Sequence, residues 1–204
     1  MKLWKKILII VLILFAIIAI FIIRKFIIIT NLVNISKEYA NKTNYVAVVQ
    51  SIQNGNVSIA KSYNKDGDLL TTLKSYAKDS QEERGLIKYE KDNEKVGIVY
   101  NGQEKVAIIN QPVLATINIV TVYSTFNDFL PRLELAVMSR ISTDNVGNYL
   151  IELDNWKMWV DKDTGLVIRE INGGLISERS YEFDNVKDED IVKPDISDCT
   201  IREN

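Results

Sequence analysis

The chain has 204 residues, 47% of them hydrophobic, with 25 basic and 27 acidic side chains, one cysteine and no histidine. Without histidine, Ser-His-Asp and Cys-His catalysis, His-bound zinc and imidazole pH sensing are excluded, and a single cysteine makes neither an internal disulfide nor a thiolate cage. All 27 acidic residues follow Thr30 but only 20 of the 25 basic ones do, so the region beyond it carries a net charge of −7; it lacks the basic stripe that nucleic acid requires.

The amino-terminal stretch fixes location. Ile7 to Ile23 is an unbroken apolar run, and as a helix it covers roughly 25 Å of a hydrocarbon core ~30 Å thick, with Phe26 to Ile29 able to extend it. A helix apolar all round, at the end of so small a chain, would find no core large enough to enclose it. Lys2, Lys5 and Lys6 precede it as in a secretory signal, but no small-x-small cleavage site follows; Arg24, Lys25 and Phe26 stand there instead. Residues 1–30 therefore read as an uncleaved signal anchor spanning about 7–29. Lys and Arg nearly balance across the span, so charge does not set its orientation; the amino terminus is expected inside and residues 31–204 outside the cytoplasm.

Next, Asn31 to Lys42 reads as a short helix with Leu32, Ile35 and Tyr39 on one face, either packed on the domain or continuing the anchor as a stalk. Strands begin at Tyr45. Asn54-Gly55 and Lys65-Asp66-Gly67-Asp68 are hairpin signals, and Val57-Ser58-Ile59 and Leu69 to Tyr76 are the strands they connect. Asp66-Gly67 does not head a calcium loop, since the position that needs a bidentate Glu holds Leu73. Lys78 to Arg84 reads as a charged loop. Leu86 to Tyr89, Val96 to Tyr100 and Val106 to Ile109 give three further strands, separated at Asp92-Asn93 and Asn101-Gly102.

Beyond Gln111-Pro112, Val113 to Val122 is β-branched and of ambiguous type. Ser124 to Leu130 leads into a helix running through Arg140, in which Leu133, Val137 and Ile141 recur every four residues, with Leu130, Leu135 and Met138 nearby. That apolar face either closes the mouth of a curved sheet or packs on a sheet face. Strands resume at Val146 to Leu153 and at Trp156 to Val160. They are followed by a turn at Lys162-Asp163-Thr164-Gly165, a strand at Leu166 to Ile171, a turn at Asn172-Gly173-Gly174 and a last long strand, Leu175 to Phe183. An acidic loop and a short tail end the chain.

Asp163-Thr164-Gly165 has the letters of an aspartic-protease motif, whose chemistry needs two carboxylates sharing a proton; one triplet, preceded by charged Lys162, reads as a solvated turn. The phosphorylated loop of P-type pumps is also excluded, because an extra acidic residue interrupts the motif. No catalytic, metal or cofactor residues are expected.

Trp159-Val160-Asp161, Thr164-Gly165-Leu166-Val167-Ile168-Arg169, Tyr181-Glu182-Phe183-Asp184-Asn185-Val186 and Pro194-Asp195 resemble the carboxyl half of the LolA/LolB-like and RseB-like superfamily of exported proteins. The upstream order is similar too, from an initial helix through a Tyr45-led strand to Tyr100-Asn101-Gly102. The resemblance implies an α+β fold: an incomplete antiparallel β-barrel, or curved sheet, whose concave face is covered by helices, in one extracytoplasmic domain over residues 31–204. It also implies a cavity for acyl chains of lipids or lipoproteins, with Phe126, Phe129, Trp156, Trp159 and Tyr181 as candidate cavity or lid residues; the same aromatics would equally serve as plain core. Three functions are open: a tethered module binding a lipid, a lipoprotein acyl chain or another hydrophobic ligand; an envelope sensor or interaction domain regulating a membrane protein; and, weakest, an enzyme.

Overall fold

A computed structural model of the chain describes residues 3–78, 83–111 and 117–202. In chain order its elements are α1 (Leu3–Ala40), β1 (Asn44–Gln53), β2 (Asn56–Lys65), β3 (Asp68–Tyr76), β4 (Glu83–Lys91), β5 (Glu94–Asn101), β6 (Glu104–Ile109), α2 (Val122–Phe126), α3 (Phe129–Met138), β7 (Arg140–Thr143), β8 (Tyr149–Leu153), β9 (Trp156–Val160), β10 (Val167–Asn172), β11 (Leu175–Phe183), a 3-10 turn (Asp188–Asp190) and β12 (Thr200–Arg202). The class is α+β, with a long apolar helix ahead of the strands. Two compact units form, Met1–Ala40 with Val120–Leu166 and Asn41–Ile119 with Val167–Asn204. Of the stretches singled out above, Lys78 to Arg84 and Val113 to Val122 lie partly outside the described residues; where they are described, Glu83 and Arg84 open β4 rather than a loop, and Val122 opens α2.

The unit containing residues 41–119 is a nine-stranded sheet in the order β12-β6-β5-β4-β3-β2-β1-β11-β10. Its first six strands are a meander built by turn chemistry. Asn54 and Gly55 take φ of 54° and 83°, and Asp92 and Asn93 take 53° and 66°, the left-handed values that a two-residue hairpin needs at both central positions. Registers follow from these turns: Val46, Tyr63, Leu70, Tyr89 and Val96 face one another across β1 to β5. That row, with Val48, Ile87 and Ile98, is covered by Val186, Ile191, Ile196 and Cys199 from the carboxyl-terminal segment. The segment then adds β12 parallel to β6, Thr200 opposite Val106, which makes the sheet mixed where only antiparallel pairing was expected.

On the opposite face of β2 and β3, Ser62 and Thr71 are directly paired, 0% and 1% exposed, and joined hydroxyl to hydroxyl at 2.8 Å. Burying two hydroxyls is tolerable because each satisfies the other. Ser62→Ala alone is expected to cost about 1–2 kcal/mol by stranding Thr71. Adding Thr71→Val should recover part of that loss; urea unfolding of the two single variants and the double would measure the coupling, and strictly additive losses would contradict it.

In the other unit α1 is one uninterrupted 38-residue helix, about 57 Å long. The expected short helix after the anchor is therefore its last turns, and it both continues the anchor and packs. Residues 3–21 are exposed throughout, whereas Ile29, Leu32, Val33 and Ser36 are buried; Ile35, expected on the packed stripe with Leu32, is 40% exposed. Here β9, β8 and β7 follow one another in antiparallel register, with Ile151, Met158 and Val160 among the most deeply buried side chains.

The Asp161 to Leu166 turn joins these parts. Asp161 Oδ1 accepts from the Asp163 and Thr164 backbone N–H groups at 3.0 and 2.8 Å and from the Thr164 hydroxyl at 2.8 Å, as an Asx turn requires. The Asp-Thr-Gly letters thus belong to a turn, with Asp163 at its exposed side. Gly165 backs onto α1 beside Ser36 and Leu32, and its carbonyl accepts from Val122 N–H at 3.1 Å. Ser36, wholly buried, accepts from Tyr123 N–H at 2.9 Å, so two bonds pin the start of α2. Thr121 and Ser124 cap that start reciprocally.

The helix expected through Arg140 is shorter. Asn127-Asp128 divides α2 from α3, Pro131 sits in the first turn of α3, where its missing N–H costs nothing, and Ile141 belongs to β7. The expected stripe of Leu133, Val137 and Ile141 is therefore split between α3 and β7. Leu130 is 73% and Val137 51% exposed, and Leu135 and Ala136 are buried in their place.

Candidate functional site

One face of α1 carries Phe21, Arg24, Lys25 and Ile28 at helical spacing, where the apolar run first admits charge. Together with Ser139, β7 and Tyr149 of β8, these residues line a cleft of about 490 Å³, within the size range of small-ligand sites. The cleft is mixed by construction: Phe21, Ile28, Ile141 and Tyr149 supply apolar wall, Ser142 and Thr143 hydroxyls, and Arg24 and Arg140 exposed cations. Lys25 is held differently, donating to the Ser139 and Val137 carbonyls at 2.7 and 3.4 Å and so capping the carboxyl end of α3.

Glu152 lies opposite Arg140 in the β7–β8 register and feels its charge, but its ion pair is with Lys157 at 2.8 Å. Ser139 is 4% exposed, and its hydroxyl has no hydrogen-bond partner among the described residues. A buried donor without an acceptor is uncommon. Ser139 thus contributes to the cleft wall while its own hydroxyl is buried.

A second cleft, about 470 Å³, lies in the nine-stranded unit beside β3 to β6 and the carboxyl-terminal segment. Its polar groups are already matched to each other. Glu83 accepts from the Tyr76 and Tyr100 hydroxyls at 3.0 Å each and pairs with Lys74 at 3.1 Å, while Lys105 pairs with Asp198. Lys74, then Tyr76 and Tyr100, hold the Glu83 carboxyl below its usual range. Burial, then the bond to Glu83, pushes the Tyr100 phenol up to about 12. Asp195 and Asp198 are also lowered, by hydrogen bonds from Ser197 and from Lys105. Every shifted carboxyl here moves toward ionisation, whereas acid–base catalysis separates two such groups in pKa.

The five candidate aromatics are dispersed. Phe126, 9% exposed, meets Trp156 at 5.9 Å between ring centres inside the α1-containing unit. Trp159 lies on the other face of β9 from Trp156, because three positions separate them on a strand. Phe129, 57% exposed, sets its ring edge-on to Phe26 at 5.4 Å. Tyr181 belongs to the nine-stranded unit and stacks on Phe183 at 6.3 Å. None of the five lines either cleft. The cleft residues share no motif; their one legible signal is Arg24-Lys25 interrupting the apolar run.

No family model and no curated protein matches the chain. Among solved structures, the crystal structure of an uncharacterized conserved protein from Thermus thermophilus is similar over 86% of this chain and 96% of its own, at 12% identity and a TM-score of 0.42.

Proposed function

We propose that this chain is a membrane-tethered, non-catalytic module that binds a lipid in the cleft at the root of its anchor. The observation that carries the reading is that α1, long and apolar enough to cross a membrane, itself forms one wall of that cleft. A lipid has the matching chemistry, an anionic head for Arg24 and Arg140 and acyl chain for Phe21, Ile28 and Ile141. Burial of chain contributes about 0.8 kcal/mol per CH₂. In this reading the amino terminus lies inside, the remainder outside the cytoplasm, and the sheet is an incomplete barrel of the LolA-like kind.

The test uses the full chain, since removing residues 1–30 would take Phe21, Arg24, Lys25 and Ile28 out of the wall. Protein purified from bacterial membranes in mild detergent is examined by native mass spectrometry with lipid extraction. A stoichiometric anionic phospholipid is expected. Arg24→Glu with Arg140→Glu should reduce its retention about tenfold or more, given charge-assisted bonds of roughly 1.5–3 kcal/mol each, with circular dichroism unchanged because both side chains are exposed. Equal retention by the double variant would sink the reading.

A second reading rests on β7. It is the terminal strand of its sheet, so a partner could add a strand to its outer edge and use the chain as a sensor or interaction domain regulating a membrane protein. A chain that emerges without lipid would shift the weight to this reading.

A further inference from the structure

Helix α3 is apolar on two sides. Its inner face buries Leu135 and Ala136, yet the face turned away from the unit's interior carries Phe129, Leu130, Val137 and Met138 at 57%, 73%, 51% and 60% exposure, with half-buried Leu133 and the exposed, charged Glu134 within the same arc. At 100° per residue these five apolar side chains fall within half of the helix circumference. Water alone is a poor solvent for such a face.

The attachment of α3 to α1 says which way it lies. Lys25 holds the carboxyl end of α3 through the Val137 and Ser139 carbonyls, while Phe26 meets Phe129 at the amino end. Lys25 and Phe26 are one step of ~1.5 Å apart along α1, but the ends of a ten-residue helix are separated by about 15 Å. A helix held at both ends from one level of another helix runs across it. That level is where the apolar run gives way to Arg24-Lys25, at the boundary between hydrocarbon and head groups. The buried part of α1, Ile29 to Ser36, lies on the carboxyl side of it, and the exposed residues 3–21 lie on the other. α3 is thus attached where the exposed part of α1 meets its buried part.

From this we infer that α3 is an in-plane interfacial helix, with Phe129, Leu130, Leu133, Val137 and Met138 seated at the acyl–headgroup boundary of the bilayer that α1 spans. The inference rests on the membrane-tether part of the proposal above and not on any lipid occupying the cleft. Lys25, tied to α3 and next to Arg24, sits at the depth where basic side chains reach head groups. The bilayer is then held at two places, by a span and by a short crosspiece.

The experiment places nitroxide labels on the full chain in vesicles of phosphatidylcholine and phosphatidylglycerol. Cys199→Ala removes the native thiol, and single cysteines are introduced as Leu130→Cys, Val137→Cys, Ile13→Cys and Asn172→Cys, all at exposed positions. Collision rates with oxygen, which enters lipid, and with a water-soluble nickel chelate are read by power saturation. Labels at 130 and 137 are expected to favour oxygen several-fold over the chelate, in the same sense as the label at 13 and opposite to that at 172. If 130 and 137 behave like 172 while 13 is in lipid, the inference falls and the tether stands. If 13 is also aqueous, both fall. Labels at 130 and 137 that are immobilised and shielded from both agents indicate a protein cover and overturn the inference as well.

Discussion

Replacing Gly165 by alanine is expected to destabilise the protein by about 3 kcal/mol, more than any single surface change considered above. Two effects add. The residue sits at φ +67°, where a Cβ is strained, and that Cβ would lie 2.6 Å from Ser36 Cβ and 2.7 Å from the Leu32 carbonyl oxygen. Neither neighbour is a flexible tip: one is a buried helix side chain at its root and the other is backbone. Because the same turn anchors Val122, the strain reaches α2 through the Gly165 carbonyl. Gly173→Ala is the matched comparison, for its φ is +54° and nothing lies within 4 Å of the added carbon; it should cost only about 1 kcal/mol. Denaturant midpoints of the two variants separate backbone strain from collision. Equal losses would mean that the contact with α1 has no energetic weight.

Gly85→Ala should produce the second large effect, a loss of about 2–3 kcal/mol, for a different reason. Gly85 takes no strained conformation; it leaves room. Across β4 and β5 it faces Tyr100, and an added Cβ would collide with the Tyr100 hydroxyl and with the Leu73 carbonyl of β3. Relief moves the phenol out of its partly buried place and off Glu83, so its pKa should fall from about 12 toward the ordinary value of ~10. The sign of the pH effect follows. An acid whose pKa is raised in the folded state contributes stability that is whole below the unfolded pKa and is lost as pH climbs to the folded one. Between about 10 and about 12 the parent protein should thus lose stability that Gly85→Ala has already forfeited. Unfolding curves at pH 8 and pH 11 test this: the gap between the two proteins should narrow at the higher pH, and an unchanged gap would refute the link.

Local chemistry was legible in the sequence wherever a short stretch decides its own geometry. Asn54-Gly55, Asp66-Gly67 and Asp92-Asn93 turn the chain where their left-handed preferences say they should, and the strands between them follow. Longer-range features were not. β12 is three exposed residues paired in parallel with a strand about ninety positions earlier, and no alternation or propensity marks it. The α1 continuation shows the same limit, since Arg24-Lys25 and Thr30-Asn31 look like interruptions although none of them breaks helical hydrogen bonding. For α3, periodicity put Leu133, Val137 and Ile141 on one stripe, but the helix ends at Met138 and Ile141 belongs to β7; spacing also is silent on what a side meets. The cleft was invisible for a plainer reason. Its walls come from stretches more than a hundred residues apart, and their residue types, two arginines among apolar and hydroxyl neighbours, form no pattern until the fold assembles them.

One consequence of the unbroken α1 concerns azimuth. From Leu3 to Ala40 the helix holds neither proline nor glycine, the usual sources of a sharp bend, so it transmits rotation as a stiff shaft would. A residue inserted between Phe21 and Arg24 would advance the amino-terminal part of α1 by ~1.5 Å and swing it by ~100°, carrying Phe21 off the face that Arg24, Lys25 and Ile28 share in the cleft. The count of residues between Phe21 and Ile28 is therefore a phase as much as a distance, because it decides whether these side chains share the face that lines the cleft.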